Sequence, residues 1–328
     1  MKFEGILTSI ALATVVYLGH TGAAHAQNAD TAKADEAVLE MKEAFRKSDR
    51  KRLAALLPQT SGHLLEPWAA YWELKSRLVD ASNQEVRAFL GKYAGTYQED
   101  RLRNDWLLLL GQVRDWSTFR AEYPGFRMND DREVRCYALL ADFNASGADV
   151  AAQVEKLWLA QRDADDGCAI AAEQLIKARK IKIDVAWQRA RAGMESGRQS
   201  VVSQAVGLIN PDWTNKIKTI FSGPGRYLDE KHTALLPRTK EFVTLALIRM
   251  AADDPAQAAE QVSRLRWRAQ LTQEERSHVW GVIGKNAAQR LQDEAPGYFD
   301  HAQDQYLQPE HLEWKVRAAL RAGKWDQV

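Results

Sequence analysis

Leu110-Gly111-Gln112-Val113-Arg114-Asp115-Trp116 is echoed near the end of the chain by Leu320-Arg321-Ala322-Gly323-Lys324-Trp325-Asp326. In each copy an apolar periodic run ends on Leu. A Gly follows that can close the helix in a left-handed cap, and a Trp beside an Asp opens the next helix. Such punctuation describes two helices folded back on one another. Its recurrence predicts an all-α chain, an α-solenoid or superhelix of stacked helical hairpins. The repeat length is irregular, so the array is tetratricopeptide-like in style only.

The stretches around these two copies agree. Leu102, Trp106, Leu109 and Leu110 follow i, i+4, i+7, i+8, and Val154, Leu157 and Trp158 follow i, i+3, i+4. Val279, Ile283, Ala287 and Leu291 repeat every four residues, as do Leu312, Val316 and Leu320. Each set lines one face of a helix. Breaks are short: Asn129-Asp130-Asp131, Asp165-Asp166-Gly167, Asn210-Pro211-Asp212 and Asp253-Asp254-Pro255. Pro211 and Pro255 suit first-turn positions, where the missing N–H costs nothing. The longest irregular stretch is expected at Ser222-Gly223-Pro224-Gly225-Arg226, running towards Pro237, and is the one candidate boundary.

The chain has 328 residues, 45 Lys plus Arg against 44 Asp plus Glu, and 45% hydrophobic residues. That balance argues against a nucleic-acid binder, which shows a basic domain, and against disorder. No apolar run approaches the roughly 20 residues of a membrane span. Residues 1–26 read as a signal peptide: Lys2, an uncharged run from Ile6 to Gly19, then the small-x-small site Ala24-His25-Ala26. The expected mature chain is therefore 27–328, exported and periplasmic. In that oxidising compartment the two cysteines, Cys136 and Cys168, are expected to form a disulfide.

Motifs for chemistry are scarce. There is no His-Glu-x-x-His, no phosphate loop and no nucleophile elbow, so no cofactor or metal is expected. His301 and His311 flank Pro309 and read as surface or helix-end residues. Three basic clusters remain: Arg46, Lys47, Arg50, Lys51 and Arg52; Lys177, Arg179, Lys180 and Lys182; and Arg264, Arg266 and Arg268 around Trp267. A solvated helix face explains such clusters. The sharper reading makes Arg179, Lys180, Lys182, Arg264, Arg266 and Arg268 contacts for wall carboxylates, with Trp267 stacking on a sugar.

Pro67-Trp68-Ala69-Ala70-Tyr71-Trp72-Glu73-Leu74, then Glu85-Val86-Arg87-Ala88-Phe89-Leu90, then Arg101-Leu102-Arg103-Asn104-Asp105-Trp106-Leu107 resemble the opening helices of soluble lytic murein transglycosylases. Asp115-Trp116, Phe119, Tyr123-Pro124 and Cys136-Tyr137-Ala138-Leu139 extend the likeness, which is strongest from Pro67 to Leu140. The resemblance implies a superhelical region curled into a ring, followed by a lysozyme-like catalytic domain. It also implies cleavage of the β-1,4 bond between N-acetylmuramic acid and N-acetylglucosamine, leaving a 1,6-anhydro product. One Glu, in a Glu-Ser motif followed by Gly-Leu-Met-Gln, would act as acid and then base.

The only Glu-Ser here is Glu195-Ser196, and no Gly-Leu-Met-Gln follows it. The catalytic role is therefore not carried to Glu195, and no catalytic residue is expected in this chain. Only three residues follow Trp325. The expectation is a chain cut before its catalytic domain, inactive alone, that positions peptidoglycan strands. The implied partners are that domain, glycan strands and other cell-wall enzymes. The rival reading is a non-enzymatic periplasmic helical-repeat scaffold that binds other proteins.

Overall fold

The structure, a computed structural model, describes residues 20–231 and 233–325. The described residues form helices and turns and contain no strand. They fall into two compact units, which meet in sequence between Asp131 and Arg132. The first holds α1 His20–Arg46, α2 Arg50–Leu56, α3 Glu66–Ser76, α4 Asn83–Lys92, α5 Tyr97–Gln112 and α6 Trp116–Glu122. The second begins with α7 Arg132–Ser146, α8 Ala151–Ala160, α9 Asp166–Lys177, α10 Ile183–Glu195, α11 Gln199–Ile209 and α12 Thr214–Ser222. It continues with α13 Pro224–Glu230, α14 Pro237–Asp253, α15 Pro255–Ser263, α16 Leu265–Gln270, α17 Gln273–Gln289, α18 Ala295–Phe299 and α19 Pro309–Arg321.

Each unit is a run of packed helical pairs. In the first, α3 and α4 both pack on α5, and α5 packs on α6. In the second, α8 packs on α10, α10 on α14, α14 on α17 and α17 on α19. Helices therefore meet their sequence neighbours and those a short way further on, the ordering of a helical solenoid. Caps set the starts. Ser82 and Glu85 form a reciprocal capping box on α4, and Thr272 and Glu275 another on α17. Pro255 occupies the first turn of α15, capped by Asp254.

The echoed segments differ in detail from expectation. After α5 it is Arg114, at φ +62°, that takes the left-handed position, while Gly111 stays helical and buried. Gly323 does take it, at φ +69°. Trp116 opens α6 under the Asp115 cap and lies against the fully buried Phe119. Trp325 is 73% exposed, and residues 326–328 lie outside the described residues.

Two further readings change. The Gly-Pro stretch expected to be a loop and boundary forms α13, because Pro224 serves as a first-turn residue. Leu291 falls beyond α17, at φ +58° and 64% exposed, so it does not extend that helix's apolar stripe. Of the proposed leader, residues 1–19 lie outside the described residues, and Ala24-His25-Ala26 falls within α1. No helix among the described residues is long and apolar enough to cross a membrane.

Cys136 of α7 and Cys168 of α9 are joined by a disulfide, with Cα atoms 4.9 Å apart. Gly167 permits that approach: a Cβ there would come within 2.6 Å of the Glu133 carbonyl oxygen. The Glu133 carboxylate accepts from the Asp166 and Gly167 N–H groups at 3.2 and 3.3 Å, tying the same joint.

The segment Glu99–Trp106 proves to be scaffold. Leu102 and Trp106 enter the core, and Asn104 and Asp105 between them are buried too. Asp100 accepts the Arg127 and Met128 N–H groups, both at 2.8 Å. Arg103 pairs with Glu99 at 2.8 Å and Glu122 at 2.9 Å. Asp105 accepts from the Tyr71 hydroxyl at 2.8 Å and lies 2.7 Å from the Lys75 ammonium. Buried polar groups must be paired, and here the pairings of Asp100, Asp105 and Arg103 with Glu122 fix a loop or a helix against α5, while Arg103–Glu99 lies within α5.

Candidate functional site

The most concentrated chemistry lies in the second unit, at the C-terminal end of α10. Burying Trp187, Ala190 and Met194 also draws Arg191 and Glu195 inward. Two helices then bring partners to Glu195. The capping box of α17 sets its phase, so that His278 and Lys285, two turns apart, face α10. His278 Nε2 lies 2.9 Å from Glu195 Oε1, close enough to pair but without a well-aligned hydrogen bond. Lys285 Nζ lies 2.8 Å from Oε2 and also reaches Glu310 at 3.3 Å.

His311 sits in the first turn of α19, behind Pro309. Its Nδ1 accepts the Gln308 N–H at 3.3 Å, which leaves Nε2–H to donate to Glu195 Oε2 at 3.0 Å. The ring reaches so far inward because α17 carries Gly281 beneath it, where a Cβ would stand 2.6 Å from Nδ1.

One turn back on α10, Arg191 holds Glu241 of α14 through two hydrogen bonds of 3.0 and 2.6 Å, and Glu274 of α17 at 3.3 Å. Burial raises the pKa of Glu241, and the pull of Arg191 only partly offsets it. For Glu195 the balance is reversed. Burial works to raise its pKa, but the close approach of His278 and the hydrogen bond from His311 outweigh it and hold the carboxyl well below the usual range. Burial pushes the His278 imidazole down, against the opposing pull of Glu195.

This environment determines what Glu195 can do. A general acid must carry a proton at working pH, so its site must raise its pKa. Glu195 is held as a carboxylate among three donors, which suits a structural anchor. Among the described residues no group of three or more His, Cys, Asp or Glu is arranged to hold a metal. Beside the anchor is a cavity of about 290 Å³, lined by Arg191, Glu195 and His278, by Gln188, Glu274 and Gln305, and by Leu159, Ala192 and the Tyr306–Gln308 turn.

The residues singled out by sequence are dispersed. Arg179, Lys180 and Lys182 are exposed in the α9–α10 connection. Arg264 is exposed but pairs with Asp229 and Glu260, both at 3.4 Å, and Arg266 is partly buried. Arg268 is exposed. Trp267 is fully buried, with the Arg266 guanidinium 4.5 Å from its ring centre, so it has no face to offer a sugar. In the first basic cluster Arg46, Arg50 and Arg52 pair with Glu43, Asp80 and Glu40, as on a solvated face.

His311, read as a surface or helix-end residue, begins a helix but is fully buried. His301 is exposed and packs on Trp280, with centroids 4.5 Å apart. The Arg191–Glu195–His278–Lys285–His311 cluster escaped the sequence reading. Its one signal was charge at positions of α10 and α17 that share a face with Trp187, Met194 and Val282.

A scan against protein-family models finds no match, and a search of curated proteins finds none either. Solved structures do match. An inactive mutant of the lytic transglycosylase Slt from Pseudomonas aeruginosa is 24% identical with a TM-score of 0.54, over 89% of this chain and 48% of that one. The 70-kDa soluble lytic transglycosylase from Escherichia coli is 16% identical with a TM-score of 0.51, over 90% of this chain and 46% of that one. A 70-kDa soluble lytic transglycosylase in complex with bulgecin A is 17% identical with a TM-score of 0.50, over 88% and 45%. The chain spans about half the length of these structures. It is similar in fold to soluble lytic transglycosylases along most of its own length, in agreement with the resemblance read at Pro67–Leu140.

Proposed function

We propose that this chain is the helical-repeat portion of a periplasmic protein of the lytic transglycosylase type, which holds peptidoglycan strands for a lysozyme-like domain carried beyond residues 1–328. The observation that carries this reading is the likeness of fold to such enzymes over most of the chain but under half of theirs. Fold alone does not specify chemistry. The paired charges around Arg103 and Asp105 and around Glu195 are in keeping with that reading. Export through residues 1–26 would place it at the cell wall. The exposed Arg179, Lys180, Lys182 and Arg268 offer cations to the carboxylates of wall peptides.

Co-sedimentation of the purified chain with peptidoglycan sacculi tests the proposal. The expected result is binding that weakens as salt rises, because exposed charge contacts are screened, with no anhydro-muropeptide released by the chain alone. Failure to co-sediment at low salt would overturn it. A stoichiometric protein partner without wall affinity would instead establish the scaffold reading.

A further inference from the structure

We infer that the cavity above Arg191, Glu195 and His278 is a sugar pocket that takes one neutral N-acetylated pyranose ring. The choice of an acetamido sugar rests on the wall-binding reading above; the preference for a neutral, hydroxyl-rich ring rests on the pocket itself. The cavity of about 290 Å³ holds about ten waters, the scale of a single substituted ring.

Its floor is charged but internally neutralised. Arg191 is only 5% exposed and gives its guanidinium to Glu241 and Glu274. Glu195 is held by His278, Lys285 and His311. A charged ligand would have to break one of these buried pairs, which leaves an uncompensated charge. A hydroxyl or amide can share the remaining lone pairs and N–H groups without doing so.

His278 also lines the cavity, 5% exposed, with its Nε2 committed to Glu195 at 2.9 Å. The walls provide the complement of a sugar. The Gln188 and Gln305 carboxamides each both donate and accept. The Tyr306 ring and the Leu159 and Ala192 side chains give an apolar side for the C–H face of a pyranose and for an acetamido methyl. A few placed polar groups on a partly apolar concavity is the usual make-up of a small-ligand site.

Titration of the whole chain with N-acetylglucosamine, followed by calorimetry or by chemical-shift changes, tests this. Saturable binding is expected at a Kd of about 1 mM, the weak range usual for a ligand of this size. N-acetylmuramic acid should bind more weakly, because its carboxylate would face Glu274 and Glu195. Tyr306→Ala and Gln188→Ala should each weaken binding by about tenfold with an unchanged melting temperature.

Binding that survives both substitutions, or no saturable signal with any of these sugars, would overturn the pocket. The two readings fail separately. Sacculus binding that is intact in Tyr306→Ala, without monosaccharide binding, sinks the pocket and leaves the wall-binding reading standing. Monosaccharide binding at the pocket, without affinity for sacculi, does the reverse.

Discussion

Two buried ionic networks, one in each unit, draw partners from very different reach. Around α5, Asp100, Arg103 and Asp105 find partners 19 to 34 residues away. Around α10, Glu195 finds Lys285 and His311 at separations of 90 and 116 residues. The first network stitches neighbouring hairpins and leaves a compact trace in the sequence. The second fastens helices far apart in the chain, and its members look unrelated until the fold assembles them. Charge inside a helical array can thus serve local register or long-range closure.

The comparison is broken most directly by Glu195→Ala. Lys285, His278 and His311 would face one another without the carboxylate, at an expected cost of about 3–5 kcal/mol, read by chemical denaturation. A loss close to zero would show that the long-range network contributes nothing.

The same contribution depends on pH. Glu195 and His278 both have folded-state pKa values below their ordinary ones. Each therefore favours the folded state above the ordinary pKa, where the unfolded chain binds more protons as pH falls. Stability should decline on acidification below the ordinary imidazole range and again below the ordinary carboxylate range. Glu195→Ala should flatten the second decline, as followed by melting temperature across pH.

Next in size is the Cys136–Cys168 bond, which closes 32 residues within the second unit. Its removal by Cys136→Ser with Cys168→Ser should cost about 3–4 kcal/mol in the chain-entropy model. Unequal denaturation midpoints for the two units would reveal it. In the first network Asp100→Ala would strip two backbone N–H groups of their acceptor, at about 1–3 kcal/mol; a larger loss than for Glu195→Ala would invert the comparison. Smallest is Arg50→Ala, which removes an exposed pair with Asp80. No measurable shift in midpoint is expected, because exposed pairs contribute little.

The helices and their short turns were legible because 3.6-residue periodicity, Pro at first turns and Asp, Asn or Thr caps act locally. The disulfide followed from compartment and count. What the sequence concealed involved context at a distance. Pro224 reads as a loop residue until the helix it starts is seen. Trp267 among three arginines looks available, yet its ring packs inside while the charges lie at or towards the surface. Arg114 rather than Gly111 took the left-handed turn, since α5 runs on through Gly111 to Gln112. His311 could not be placed from its neighbours, because the carboxylate that draws it inward belongs to a helix more than a hundred residues earlier.

The wide span of the Glu195 cluster also has a consequence in time. Contacts between distant residues form only after long stretches of chain have been ordered. The hairpins of the second unit can form from near neighbours, whereas Glu195 must wait for both α17 and α19. Interactions absent at the folding barrier slow escape from the native state without hastening arrival. Glu195→Ala should therefore raise the unfolding rate and leave the refolding rate unchanged. The cluster would act as a clasp that sets how long the molecule stays folded.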